Sequence, residues 1–148
     1  MKKVLLTVFF LAISSLVFAQ QSEQSMFENG LDAYRNKDFN TAQNIFFKLL
    51  KEHPGGRLET ITKLMLAKAY YKQENFSAVE IIANNFFIKF PNSAYLDDMH
   101  HLLGNTYFRS EKYDEAIGQW LWVVNNSSDQ RLKELAGSYL IKTMDNFL

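Results

Sequence analysis

The chain has 148 residues, 22% of them charged, with equal numbers of basic and acidic side chains and no cysteine. Balanced charge excludes the basic surface typical of nucleic-acid-binding proteins, and the absence of cysteine excludes a disulfide framework. Scarce glycine and proline beside abundant aromatic residues are typical of packed helices, and the length suits one domain.

The N-terminus predicts a signal peptide over residues 1–19. Two lysines near the start precede an apolar run, and Val17 and Ala19 place small residues before a cut at Gln20. The run is shorter than the roughly 20 residues of a membrane-spanning helix, which favours a cleaved leader over an anchor. From the cleaved leader we expect a secreted, periplasmic chain that has no membrane span after cleavage. Because no cysteine can receive a lipid, we also expect that the chain is not lipid-anchored.

Residues 20–148 repeat one pattern at a spacing of 37. The motif begins at Gly30, recurs at Ala67 and recurs again at Gly104. The same spacing relates further columns of similar residues: Phe39, Phe76 and Tyr113; Ala42, Val79 and Ala116; Leu50, Phe87 and Val124; Pro54, Pro91 and Ser128. Internal repetition of this kind predicts a solenoid of stacked units, with repeats at about 22–56, 57–93 and 94–128.

Each repeat is predicted to form two antiparallel amphipathic helices, A and B. We expect Gly30, Ala67 and Gly104 to lie where helix A presses against helix B, with the small residues of the Ala42 column as their partners. Short polar turns and the prolines end the helices. The predicted helices are 22–36, 38–52, 57–73, 75–89, 94–110, 112–125 and 129–147.

The terminal helix, 129–148, is predicted to leave the 37-residue register. One stripe of side chains should pack it on the preceding helix B and let it end the array. The stripe consists of Leu132, Leu135, Ala136, Tyr139, Leu140 and Thr143.

The third repeat resembles the tetratricopeptide repeat (TPR), through Leu103 to Phe108, then Tyr113 to Ile117 and Trp120. The usual TPR period is 34 residues, and the longer period here, with the phrase from Phe90 to Tyr95, is similar to periplasmic envelope TPR proteins of the Tol-Pal accessory and outer-membrane assembly types. The resemblance implies an all-α, right-handed TPR-like solenoid of about three hairpins plus a terminal helix. It also implies a non-catalytic scaffold or adaptor for a protein or peptide of the cell envelope.

Two alternatives stay open. The chain could be the N-terminal TPR module of a longer envelope protein, of the type that activates penicillin-binding proteins. It could instead be a structural module that associates with itself.

The resemblance also implies a peptide-binding groove along the A helices that suits an acidic, apolar peptide. The groove carries an aromatic ladder, Tyr34, Tyr71 and Phe108, and a basic ladder, Arg35, Lys72 and Arg109. The competing interpretation is that these side chains only pack or are solvated. The groove residues are Phe27, Leu31, Tyr34, Arg35, Leu64, Lys68, Tyr71, Lys72, His101, Asn105, Phe108 and Arg109. Equivalent positions add Gln24, Ile61 and Asp98.

No catalytic residues, metal site or cofactor are expected. Asp97 and His101 share a helix face at a spacing of four residues, but a metal site needs further ligands and the sequence brings none to them. Serine, histidine and aspartate occur without the context of a nucleophilic triad.

Overall fold

A computed structural model describes residues 23–147, which form α-helices joined by short turns, without strands in that range. The predicted signal peptide, 1–19, lies outside the described residues. The predicted all-α array is confirmed, and helices α2 to α7 begin and end within two residues of their predicted bounds, while α1 is described only from residue 23. The helices are α1 (23–35), α2 (Phe39–Glu52), α3 (Glu59–Lys72), α4 (Phe76–Lys89), α5 (Leu96–Arg109), α6 (Tyr113–Asn126) and α7 (Gln130–Phe147).

The three hairpins share one turn. Lys37, Glu74 and Glu111, spaced by 37, have positive φ angles of 62°, 60° and 60°. At each turn the next N–H donates to a carbonyl five residues earlier, as from Lys112 to Tyr107 at 2.9 Å. This is the hydrogen bond with which left-handed residues commonly end helices. The repeat therefore extends to the backbone of its turns.

Glycines in the A helices accommodate aromatic rings of the B helices. A Cβ atom built on Gly30 would stand 2.5 Å from Phe46, and one on Gly104 would stand 2.5 Å from Trp120. The predicted position at the A–B contact is right, but the nearest partner is a large ring rather than the small residue that we expected. In the second repeat Ala67 and Ala83 are both fully buried in one core cluster. In this repeat a smaller helix B residue, alanine in place of a ring, thus accompanies a larger helix A residue, alanine in place of glycine, which conserves volume.

Helix α7 keeps the 37-residue register, so the prediction that it leaves the register is wrong. Two columns of buried residues continue into it: Thr62, Met99 and Ala136 form one, and Ala69, Thr106 and Thr143 form the other. Thr106 and Thr143 each donate a 2.8 Å hydrogen bond to the carbonyl four residues earlier. Helix α7 is therefore equivalent to the A helix of a fourth repeat.

The predicted stripe of α7 is only partly buried. The helix packs on α6 as expected, with Ala136 and Thr143 buried and Leu132 half-buried. Leu135 and Tyr139 are exposed instead. They follow Asp98 and Leu102 by 37 residues, positions that line a pocket on α5, so α7 extends that side of the array.

Candidate functional site: a groove between helices α1, α3 and α5

A pocket of about 340 Å³ lies between the A helices of the three repeats. Its floor is apolar, since Met65 and Leu102 are buried, and polar or aromatic side chains surround them. The lining residues are Tyr34, Met65, Lys68, Tyr71, Lys72, Asp98, His101, Leu102 and Asn105. Three consecutive repeats therefore contribute to one concave site.

The structure brings six of the predicted groove residues together in this pocket. They are Tyr34, Lys68, Tyr71, Lys72, His101 and Asn105. Asp98, from an equivalent position, lines it as well. Whether these side chains bind a partner stays a prediction.

The other predicted groove residues lie elsewhere. Phe27 and Leu64 are buried in the core, where Phe27 packs against the ring of Phe46 at 5.9 Å. Leu31 is half-buried against the same cluster, and Phe108 packs on Trp120 at 5.8 Å. Phe27 and Leu64 are apolar, and the neighbouring helices cover them because burial of apolar area is favourable. These two side chains cannot line an open groove.

Sequence reasoning missed Met65 and Leu102, which form the floor of the pocket. They are 37 residues apart and each follows a predicted groove position, so the register would have identified them as a pair. It also missed Tyr139, the next member of that column. The Tyr139 ring stacks on Trp120 at 5.4 Å and lies 5.8 Å from His101. Helix α7 therefore contributes an aromatic side chain beside the pocket.

The pocket has one positive charge in excess. Lys68 and Lys72 face a single carboxylate, and the Lys68 Nζ atom lies 4.0 Å from Asp98 Oδ1, which is a long ion pair. Lys72 is exposed and has no ion pair among the described residues. A Lys ammonium can donate three hydrogen bonds, so the side of the pocket formed by α3 suits an anionic group.

Two of the three cations of the predicted basic ladder are already paired with carboxylates of the chain. Arg35 pairs with Asp32 on its own helix at 2.9 Å. Arg109 pairs with Glu74 and lies over the rings of Tyr71 and Phe76, at 6.0 and 5.6 Å from their centroids. Of these three cations, only Lys72 makes no ion pair with a described residue.

Hydrogen bonds fix one wall of the pocket. Trp120 Nε1 donates to Asn105 Oδ1 at 3.3 Å, and Asn105 Nδ2 lies 3.2 Å from Nε2 of His101. Because an amide nitrogen donates, neutral His101 accepts at Nε2 and carries its proton on Nδ1. Burial lowers the pKa of His101, Asp98 opposes this shift and Lys68 adds to it. The Asn105 amide thus orients the His101 ring, whose Nδ1 atom is buried without a hydrogen-bond partner among the described residues.

Among the described residues, Asp97, His100 and His101 are not grouped as metal ligands. The residues in 23–147 contain no group of three or more His, Asp or Glu side chains placed to hold a metal ion. His100 instead stacks between Phe87 and Trp122, at 4.0 and 3.7 Å. Within the same range no helix is both long and apolar enough to cross a membrane.

Comparisons with known proteins agree with this architecture. The TPR domain of Arabidopsis OM64 superposes with a TM-score of 0.68, over 83% of this chain and 97% of that domain. At 18% identity this likeness shows the fold alone, and it confirms the TPR-like solenoid.

Sequence comparison identifies bacterial relatives. The outer membrane protein assembly factor BamD of Pasteurella multocida (strain Pm70) is 28% identical over 87 residues, which are 59% of this chain and 34% of that protein. The match thus spans about a third of the length of this relative. The profile of the YfiO family, described as outer membrane lipoprotein, matches residues 19–134. The chain therefore belongs to the YfiO family.

Proposed function

We propose that the chain is a non-catalytic scaffold in the bacterial periplasm that binds a protein or peptide in the groove between α1, α3 and α5, as part of outer-membrane assembly. The observation that carries the proposal is the pocket itself. It combines an apolar floor, two tyrosines and two lysines opposed by one aspartate. The name of the BamD relative, an outer membrane protein assembly factor, supports the choice of pathway.

The chemistry of the pocket favours an extended segment with an apolar or aromatic side chain next to a carboxylate. The apolar part would be buried over Met65 and Leu102, between Tyr34 and Tyr71. The carboxylate would accept hydrogen bonds from Lys72, and charged hydrogen bonds of this kind are stronger than neutral ones. Burial of the apolar side chain supplies affinity, and the charge supplies orientation.

The proposal assigns no catalytic role to the groove. Its histidine bonds to an amide and its aspartate faces a lysine; neither activates a nucleophile, as a triad requires.

Membrane attachment is a separate matter. The family is described as lipoprotein, whereas the sequence contains no cysteine. Our prediction that the chain is not lipid-anchored can be tested by labelling with radioactive palmitate.

Site-specific crosslinking tests the groove. A photoreactive amino acid at Tyr71 should give a discrete adduct with an envelope protein, and mass spectrometry would identify it. The matched control places the same amino acid at Ile88, which is 80% exposed on α4 and lies outside the pocket. The proposal fails if both positions give the same adducts, or if Tyr71 gives none.

A variant pair then tests the chemistry. Tyr71→Ala with Lys72→Glu should abolish binding of the identified partner, while circular dichroism shows a folded, helical chain at the assay temperature. The melting temperature should fall somewhat, because half-buried Tyr71 packs on Phe76. Lys89→Glu, an equal change of charge at an exposed position on α4, should leave binding intact. Retained binding by the groove variant would contradict the proposal.

A further inference from the structure

Two hydrogen bonds in series connect the core of the third hairpin to the groove. Trp120 Nε1 donates to Asn105 Oδ1 at 3.3 Å, and Asn105 Nδ2 lies 3.2 Å from Nε2 of His101. Trp120 is 1% exposed and belongs to a core cluster, whereas Asn105 and His101 line the pocket. These three side chains, called the hydrogen-bond relay below, join a buried ring to the wall of the candidate site.

The indole of Trp120 fixes the direction of both bonds. Because an indole N–H can only donate, the Asn105 amide presents its oxygen to Trp120 and its NH2 group to His101. Protonation of His101 would place an N–H on Nε2 against that NH2 group, and two donors cannot bond to each other. If the amide turned to accept from the histidine, its NH2 group would face the indole N–H instead. Both bonds therefore form only when His101 is unprotonated.

Packing of a hairpin does not require the hydrogen-bond relay. Two repeats earlier the equivalent positions carry Phe27, Leu31 and Phe46, which are apolar and pack in one cluster. Polar groups are costly to bury unless they are hydrogen-bonded, and His101 Nδ1 is buried without a partner among the described residues. An apolar set suffices for the fold, so the polar set points to a role in the groove.

The protonation of His101 decides where the pocket is positively charged. The other titratable side chains around it are Tyr34 of α1, Lys68, Tyr71 and Lys72 of α3, Asp98 of α5 and Tyr139 of α7. Burial lowers the pKa of His101, Asp98 raises it and Lys68 lowers it. While His101 is unprotonated, the cations that line the pocket are Lys68 and Lys72, both on α3.

We propose that Trp120 is a positioning residue of the groove: through Asn105 it holds His101 unprotonated, with its proton on Nδ1, so that α5 presents no positive charge to a bound segment. This inference rests on the proposed function, because it assigns the relay a part in selecting how a partner lies in the groove. A carboxylate then binds on the α3 side, next to Lys72, and charge complementarity of this kind fixes orientation. The state of His101 can be measured without a partner, so a failure here is distinguishable from a failure of the groove itself.

Nitrogen NMR spectroscopy of the purified full chain tests the relay, because it distinguishes the two tautomers of an imidazole and follows its protonation with pH. The parent should carry the His101 proton on Nδ1. Trp120→Phe removes the indole N–H and keeps a ring, as at Phe46, which the first hairpin holds against Gly30. Asn105 can then turn to accept from protonated His101, whose affinity for a proton should increase about threefold to tenfold, the range for one hydrogen bond.

His100 is the internal control in the same spectra. It stacks between Phe87 and Trp122 and bonds to Gln119, outside the relay. Its affinity for a proton should change less than about twofold in Trp120→Phe.

A double-mutant cycle separates the relay from a simple change in packing. Asn105→Leu removes the amide and introduces the residue that the first repeat carries at Leu31. In that background Trp120→Phe should leave the proton affinity of His101 unchanged to within about twofold, because the indole acts through the amide. The tautomer of the parent needs no variant and tests the proposal even if Trp120→Phe does not fold. A parent with the His101 proton on Nε2, no change in Trp120→Phe, or an equal increase with and without Asn105 would overturn the proposal.

Discussion

Gly104 of α5 lies directly against the indole ring of Trp120 of α6, so that a Cβ atom on the glycine would stand 2.5 Å from the indole Nε1. Trp120 is 1% exposed and its Nε1 also donates to Asn105 in the wall of the groove. The contact thus serves the core and the candidate site together. A rigid buried ring cannot yield in the way that the end of a flexible side chain can.

We expect Gly104→Ala to lower the free energy of unfolding by about 1–3 kcal/mol, the usual cost of overpacking a core. Gly118→Ala is the matched control, since a Cβ atom there would meet nothing within 4 Å. It should raise stability by about 0.5–1 kcal/mol, because alanine favours the helix. Urea unfolding measures both. Equal effects of the two substitutions would contradict this account of the contact.

The repeat made most of the fold predictable. Period, helix bounds and the A–B contacts followed from columns such as Gly30, Ala67 and Gly104. The register of α7 did not, because Ile141 and Met144 stand where the third repeat has Gly104 and Tyr107. Only burial shows the columns that continue, such as the one ending at Thr143.

The groove was less predictable than the fold. Helical spacing assigns a side chain to a face, but the neighbouring helix decides whether that face is covered. Phe27, Leu64 and His101 occupy equivalent positions, yet the two apolar side chains are buried and the histidine lines the pocket. The ion pair between Glu74 and Arg109 was equally hard to predict from the sequence, because the two residues are 35 positions apart.

The pairing of Arg109 predicts unequal effects along the basic ladder. If a carboxylate binds in the pocket, Lys72→Gln should weaken binding of the groove partner about tenfold to 150-fold, the range for a lost charged hydrogen bond. Arg109→Gln should change affinity less than about threefold, because its charge is already neutralised by Glu74. Isothermal titration compares the two. A larger effect at Arg109 would mean that Glu74 releases it on binding.

The half-buried histidines His100 and His101 predict a loss of stability in mild acid. Burial lowers the pKa of His100, against opposing effects of its hydrogen bond to Gln119 and of Asp97, and burial also lowers the pKa of His101. A pKa that is lower in the folded than in the unfolded chain means that protonation favours unfolding. The free energy of unfolding should therefore be greatest above pH 6.5 and fall as pH decreases below it.

Urea titrations between pH 8 and pH 5.5 test this dependence, above the range in which carboxylates titrate. Each histidine can contribute a slope of at most about 1.4 kcal/mol per pH unit. His100→Phe keeps a ring between Phe87 and Trp122 and removes the titrating group, so its profile should be flatter than that of the parent. A parent chain that gains stability between pH 7 and pH 5.5 would refute the assignment.

Thr62 and Thr106 offer a matched test of hydrogen bonding in the core. Both are within 1% of full burial and belong to A helices, but only Thr106 Oγ1 has a partner, the Leu102 carbonyl at 2.8 Å. Thr62 Oγ1 is buried without one among the described residues. Valine has nearly the shape of threonine and a similar helix propensity, so each substitution removes a hydroxyl and little else.

A buried hydroxyl without a partner costs about 1–3 kcal/mol; Thr62→Val should therefore stabilise the chain by about 1 kcal/mol. Thr106→Val should destabilise it by about 0.5–1.5 kcal/mol, since a formed hydrogen bond is lost. The opposite signs are the prediction, and urea unfolding of the two variants at neutral pH would contradict it if both shifts had the same sign.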